Sequence, residues 1–322
     1  YTWIDYNNDG IQQLNEFEIA RFQDQAKYVR IFTPTNQFVK ANYTQFNYSL
    51  SILPRAIVTS IKNKKLGSFL SKFVVQSSMQ TSKKNISTGN PTFNPFGKAF
   101  FDTSLISFTK SSNNTFSFNR FSNKWGIDIT QVNTIVQSLL TYGLENRTTD
   151  EWAVKTRFNI KQLYSFEWLQ KWGSNNLFTP RFSNRNFNLT IQSFEPKLAY
   201  TNSTKYRVVA SYLYQTKNNE QIFGGEKSTS QALNIEFKYN TVQSTSLLAK
   251  FTSNNISFSG TTNSTISYIM LDGLLPGKNY LWTIEFTKRL NNNLEINFSY
   301  EGRKPGETRV INIGRASVRA IL

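Results

Sequence analysis

Residues 280–300 read Y-L-W-T-I-E-F-T-K-R-L-N-N-N-L-E-I-N-F-S-Y, and their alternation decides the fold. Tyr280, Trp282, Ile284 and Phe286 are interleaved with Thr283, Glu285 and Thr287. After the turn residues Asn291, Asn292 and Asn293, Leu294, Ile296, Phe298 and Tyr300 are interleaved with Glu295, Asn297 and Ser299. A period of two sends every second side chain of an extended chain to the same side. The segment therefore predicts a hairpin with one apolar, aromatic face and one polar, charged face.

The same signature recurs on either side. Leu233, Ile235, Phe237 and Tyr239 alternate with Asn234, Glu236 and Lys238; Tyr206, Val208, Ala210, Tyr212 and Tyr214 stand opposite Lys205 and Arg207. At the end of the chain Val310, Ala316, Val318, Ala320 and Leu322 oppose Arg309, Arg315 and Arg319. The one amphipathic helix to expect covers residues 15–27. The fold class is all-β, and strand length chooses the architecture. Sandwich strands run about five or six residues, whereas these runs last about twelve to fifteen, enough to cross a bilayer at a tilt.

Strands are expected near 37–53, 66–81, 98–109, 114–122, 134–146, 151–166, 187–200, 204–217, 228–240, 244–258, 279–290, 293–303 and 308–322. If the last strand runs toward the periplasm, the short connections 54–65, 110–113, 147–150, 201–203, 241–243 and 291–292 fall on the inner side. The longer ones, 82–97, 123–133, 167–186, 218–227 and 259–278, fall on the outer side, with 304–307 a short exception. Residues 264–271 stay in an outer loop, since a strand there breaks the order. This is the pattern of an antiparallel up-and-down transmembrane β-barrel. About thirteen strands is an odd number, whereas single-chain bacterial barrels close with even ones. With no Met at Tyr1, the expectation is a C-terminal fragment whose upstream strands complete the barrel, with a miscounted strand as the equal alternative.

Composition narrows the chemistry. The chain has no Cys and no His, which excludes disulfides, thiolate nucleophiles, His-based triads and zinc sites on His or Cys. No paired carboxylates stand out, so an enzyme is not expected. Net charge is +17; residues 1–25 hold Asp5, Asp9, Glu16, Glu18 and Asp24 against Arg21 alone, so this head is −4 and the rest +21. A basic body suits anionic lipid and lipopolysaccharide phosphates. Candidate contacts in outer loops are Lys83, Lys84, Lys171, Arg181 and Arg185. Nucleic acid is not expected, for want of a motif or basic–aromatic cluster. Lumen-facing Lys205, Arg207, Lys238, Arg309, Arg315 and Arg319 read better as a hydrated wall balanced by Glu236, Glu285 and Glu295 than as an anion filter.

One stretch carries a sharper signal. Residues 5–16, D-Y-N-N-D-G-I-Q-Q-L-N-E, place Asp5, Asn7 and Asp9 at loop positions 1, 3 and 5. Gly10 falls at the sharp turn, the Ile11 carbonyl at 7 and Glu16 at 12, with Gln13 positioned to act through a water. That is the oxygen spacing of an EF-hand or dockerin-type calcium loop. Position 8, usually apolar, is Gln12. With no second hand to pair with, a structural calcium in an acidic segment, residues 1–34 including its linker, is the expectation, with residues 35–322 the barrel part.

Two regions resemble a known group. W-I-D-Y-N-N-D-G-I-Q-Q-L-N-E-F-E (residues 3–18) with Y-V-R-I-F-T-P (28–34), and L-D-G-L-L-P-G-K-N-Y-L-W (271–282) with Y-E-G-R-K-P-G-E-T (300–308) and G-R-A-S-V-R-A (314–320), are similar to the C-terminal segments of large Bacteroidota (flavobacterial) surface proteins. The resemblance implies an outer-membrane β-barrel and no assigned activity. It leaves the task of the protein open; the barrel reading itself implies a pore or scaffold for transport, secretion or anchoring, with outer-membrane or secretion components as partners. Leu322 departs from the terminal aromatic of many such barrels. The competing class is a secreted, calcium-stabilised β-sandwich adhesin or glycan-binding module, for which L-x-P-G-x-x-Y at 274–280 is the one fibronectin-like cue.

Overall fold

The computed structural model describes residues 1–33, 38–56, 63–87, 94–95, 104–161, 163–241, 244–291 and 294–320. Two short strands, β1 (Thr2–Trp3) and β2 (Phe17–Glu18), pair with each other. The rest is a meander. After β3 (Ala41–Ile52) come α1 (Lys64–Leu70), β4 (Phe73–Ile86), β5 (Leu105–Phe118), β6 (Trp125–Leu140), β7 (Gly143–Ile160), β8 (Tyr164–Phe178) and β9 (Phe187–Asn202). Then follow β10 (Tyr206–Asn219), β11 (Lys227–Thr241), β12 (Thr245–Ser259), α2 (Thr265–Met270), β13 (Gly277–Asn291), β14 (Leu294–Lys304) and β15 (Ile311–Ala320). Each strand from β3 onward pairs antiparallel with the next in one 13-stranded up-and-down sheet whose edges are β3 and β15. Among the described residues no helix is long and apolar enough to cross a membrane.

The strand number agrees with expectation, but two boundaries differ and compensate. Residues 110–113 lie inside β5, and 147–150 inside β7. Most of 167–186, expected as an outer loop, is β8, and most of 123–133 is β6. The cause in β5 is polarity on both faces: Lys110, Ser112 and Asn114 point the same way as Phe116 and Phe118, so alternation fades. In β8, Trp168–Leu169 and Gln170–Lys171 break the period, and Gly173 reads as a turn. Gly173 has another reason to be there: a Cβ at that position would collide with the Asp150 carbonyl of β7. Residues 15–27 hold no α-helix, only single 3-10 turns at Leu14–Glu16 and Gln23–Gln25. Residues 264–271 stay in a loop, where α2 forms. The outer connection expected at 82–97 begins inside β4, and 88–93 and 96–97 lie outside the described residues.

Register carries one polar face across the whole sheet. Glu285 pairs with Leu248, Thr283 with Lys250 and Lys250 with Glu236; further along, Lys197 faces Glu167 and Lys155 faces Asp128. Ion pairs line this face: Lys155–Glu167 at 3.2 Å, Lys171–Glu151 at 3.0 Å, Lys250–Glu236 at 3.5 Å and Arg289–Glu295 at 3.2 Å. Between them run amide and hydroxyl bonds such as Thr252 to Asn234 (2.8 Å) and Thr287 to Asn297 (2.8 Å). Glu236 and Glu295 are thus taken by Lys250 and Arg289. Arg207, Lys238, Arg315 and Arg319 share this face, and Lys171 is part of it rather than of a loop.

The opposite face is apolar: Tyr206, Val208, Ala210, Tyr212 and Tyr214 on β10 continue into Tyr239, Phe237, Ile235 and Leu233 on β11. From Tyr206 to Tyr214 the band measures about 27 Å along the strand, or about 20 Å of height at barrel tilt. At the end of the sheet with the short turns its rim is aromatic: Tyr164 and Tyr200 lie 5.2 Å apart, Tyr206 and Tyr239 5.0 Å, Phe118 and Trp125 5.6 Å. Under β4 and β5, Phe69 of α1 packs on Phe73 and Phe118 and extends the band downward.

Toward the loop end the two faces exchange character. On β9 the apolar-face positions change from Leu198, Pro196 and Phe194 to Gln192, Thr190 and Asn188. The polar-face positions change from Lys197, Glu195 and Ser193 to Ile191, Leu189 and Phe187. On β12 the same exchange runs from Phe251 to Ser253, Asn255 and Ser257, with Ile256 and Phe258 on the other side. Across β3 to β7 the upper limit of the band is a hydrogen-bonded row. Tyr48 donates to Ser77 (2.9 Å), Ser77 to Asn114 (2.6 Å), Asn114 to Gln131 (3.1 Å) and Gln131 to Asp150 (3.1 Å).

Candidate functional site

The apolar residues that appear on the polar face at the loop end form a seat. Leu177, Phe187 and Leu189 are almost fully buried and pack with Ile266 and Met270 of α2; Ile256 packs with Leu271 and Leu274, joined by Phe22 and Leu281. Met270 and Leu271, neighbours in the chain, thus reach β9 and β12, which fits a face that is concave toward the helix. Each fully buried Leu or Phe contributes about 1.5–3 kcal/mol. α2 is started by Ser264, whose Oγ accepts from the Ser267 amide (3.2 Å), while Ser267 Oγ accepts from the Ser264 amide (3.2 Å).

The acidic N-terminal segment sits on that seat. Tyr268 of α2 donates its hydroxyl to the Ile19 carbonyl (3.2 Å) and accepts from the Arg21 amide (3.0 Å). Asn263 donates to the carbonyls of Asp5 (2.9 Å) and Tyr6 (3.3 Å). Two charge pairs fasten the ends. Arg185, in the connection between β8 and β9, donates to both Glu18 carboxylate oxygens at 3.2 and 3.3 Å, with both side chains buried. Arg303 of β14 donates bidentately to Asp24 at 2.5 and 2.6 Å and lies 4.1 Å over the Phe22 ring. Arg315 of β15 adds a bond to Gln23 (2.6 Å). Lys217 of β10 steadies the turn after α2 through Asp272 (2.6 Å), which also faces Arg21 at 3.8 Å.

Sequence reading missed this site. Arg185 was expected to face lipopolysaccharide from a loop; it is a buried anchor for Glu18. The available signal was the phase inversion at 187–191 and 256–258, where apolar residues move to the otherwise polar face. Such an inversion marks strand ends that gain an apolar partner on that face.

The two anchors respond to acid in opposite directions. Burial pushes the Glu18 carboxyl above its ordinary value, and the Arg185 guanidinium opposes this without cancelling it. Asp24 is held below its ordinary value, chiefly by the Arg303 hydrogen bonds. A lowered acid stabilises above its unfolded pKa and loses that contribution as pH falls through its folded one; a raised acid does the reverse. Acidification from neutral to below about pH 4 should therefore free residues 21–25 from β14 while residues 17–19 stay docked. Amide exchange followed across that range is the check; uniform release of the whole segment would contradict it.

The loop expected to hold calcium lies at the solvent side of this segment. Asp5, Asn7 and Asp9 converge, but on backbone amides. Asp5 accepts from Asp9 (3.2 Å) and Gly10 (2.8 Å), Asn7 from Asp9 (3.1 Å), and Asp9 from Ile11 (2.7 Å). Gly10 has φ +72°, the left-handed turn its position requires. Glu16 is buried and accepts from the Trp3 indole (2.8 Å) and the Gln13 amide (3.3 Å). Among the described residues no three acidic side chains converge as a metal cluster. The loop has the turns of an oxygen-ligand site, with its last carboxylate directed at Trp3.

No family model matches the chain, and no curated protein matches it in sequence. Among solved structures it is similar to in-vitro folded OmpT, an outer membrane protein of Vibrio cholerae, at 8% identity and TM-score 0.36, covering 88% of this chain and 97% of that one. Outer-membrane expressed OmpT of the same organism gives 7% identity, TM-score 0.38 and coverage of 91% and 100%. At these scores the account rests on the strands themselves.

Proposed function

We propose that this chain is part of an outer-membrane β-barrel that acts as a pore or scaffold for transport, secretion or anchoring, with its N-terminal segment lodged in the outer mouth. The observation that supports this reading is the apolar band, fullest on β10 and β11, ending in an exchange of faces. A lipid-facing surface must be apolar over roughly 25 Å and need not be so beyond it. The polar, ion-paired opposite face suits a wet lumen. Exposed Arg181 and Lys304 at the loop end suit lipopolysaccharide phosphates. Under this reading the protein extracts only with detergent and migrates faster on an unboiled gel. Purification in plain buffer as a monomer with a single gel mobility would instead favour the secreted adhesin.

The calcium reading stands as part of the same proposal. Asp5, Asn7, Asp9, the Ile11 carbonyl and Glu16 supply the hard oxygen donors calcium takes, provided Glu16 exchanges the Trp3 indole for the cation. Trp3 then becomes a reporter. Terbium should give luminescence sensitised by Trp3, displaced by calcium and weakened at least tenfold by Glu16→Gln. Absence of sensitised emission at millimolar terbium would overturn it.

A further inference from the structure

Among the described residues the sheet ends on two unpaired edges that run in the same direction, because β3 and β15 are its first and thirteenth strands in a strict antiparallel meander. Joining them directly would need a parallel seam; an even number of added strands would fail equally. β3 is not blunted in the way exposed edges usually are. β3 (A-N-Y-T-Q-F-N-Y-S-L-S-I) contains no charged residue and no proline over its 12 residues. β15 carries charge only as Arg315 and Arg319, both on the polar face. In lipid a row of unpaired amides and carbonyls has no water to satisfy it, and each group costs several kcal/mol.

We infer that the gap between β3 and β15 receives a single further strand, antiparallel to both, from polypeptide outside residues 1–322. This inference rests on the membrane reading above. The two edges define the chemistry of the strand. On the lipid side it continues the band between Tyr48 and Leu50 on one flank and Ala316 and Val318 on the other, so its outward residues are apolar. On the lumen side β3 offers Asn47 and Ser49, whereas β15 offers Arg315 and Arg319. Arg315 is hydrogen-bonded to the neutral Gln23 (2.6 Å) and meets its nearest acid, Glu301, only at 4.0 Å; Glu295, opposite Arg319, already binds Arg289. Its inward residues next to β15 are therefore acidic. The N-terminal segment cannot be this strand: its amine donates to the Tyr28 carbonyl (2.6 Å) and its side chains occupy the lumen seat.

The absence of native cysteine makes the test direct. In the full-length polypeptide in its own membrane, Gln45→Cys or Asn47→Cys is combined with Ile313→Cys or Ser317→Cys and oxidised. Directly paired edges bring Cα atoms within about 4.4–6.8 Å, and a disulfide forms in one register. An intervening strand holds them about 9–10 Å apart, and none forms. In parallel, a photo-crosslinking residue is placed at Gln45 and, separately, at Ser317. The expected result is no disulfide in any combination, with both edges crosslinking to one alternating segment that carries acids on its lumen side. A β3–β15 disulfide overturns the inference, as do crosslinks to two different segments or to none. Failure of the membrane reading would show separately, as a protein that needs no detergent.

Discussion

Glu18→Leu should release the N-terminal segment from the sheet at every pH, whereas Arg185→Met should release it at neutral pH and regain docking in acid. Both side chains are about 95% buried, at 4% and 6% exposure. Removing one member of such a pair leaves the other charged and unsolvated, at a cost of about 3–5 kcal/mol. The members differ in what they can do next. A guanidinium cannot give up its proton, so Leu at position 18, which offers no acceptor in place of the carboxyl, strands Arg185 permanently. A carboxyl can take one, and Glu18 is already pushed upward by burial; without Arg185 it rises further and goes in neutral. Amide exchange in residues 1–28 is the measurement. The double variant Glu18→Leu with Arg185→Met should dock nearly as well as the natural pair, since it strands nothing. Equal release by both single variants at pH 4 would contradict this account.

Asp24→Asn should be the more damaging change at the other anchor. Arg303 is 8% exposed and Asp24 27%. With Asn at 24, the guanidinium keeps the Phe22 ring face, worth about 1–2 kcal/mol when desolvated, and loses both charged bonds. A loss of about 3 kcal/mol in docking is expected. Arg303→Met is milder, because Asp24 can turn to water and a Met side chain keeps contact with Phe22. Limited proteolysis after Arg21 and Lys27 reads the order directly: fast cutting in Asp24→Asn, intermediate in Arg303→Met, slow in the unaltered protein. Reversal of that order would mean that Phe22, not the ion pair, holds the segment.

The sheet was legible in the sequence where one face is apolar and the other polar. In β9 to β14 residues such as Tyr206–Arg207 or Phe286–Glu285 differ so sharply that register follows from alternation alone. It was not legible in β5, where Lys110, Ser112 and Asn114 sit above the band, nor in β8, where Gly173 serves a close approach of β7. The errors cancelled, since one strand was split and another absorbed into a loop. The docked segment was hidden for a different reason. Its partners Arg185, Arg303 and Tyr268 lie far from it in sequence, and an arginine that anchors a buried acid is spelled like one that faces solvent. Only the exchange of faces at 187–191 and 256–258 announced that something apolar lies within.

The central claim is that Tyr206–Asn219 and its neighbours cross a lipid bilayer with their apolar face outward. Spin labels placed singly at positions 206 to 218 of β10, in the protein reconstituted in vesicles, test it most directly. Oxygen collision should peak at 208, 210, 212 and 214, and a water-soluble nickel relaxer should peak at 207, 209 and 211. From 216 onward the period-two contrast should vanish as the strand leaves lipid. Uniform access of the nickel reagent at all positions would contradict the account.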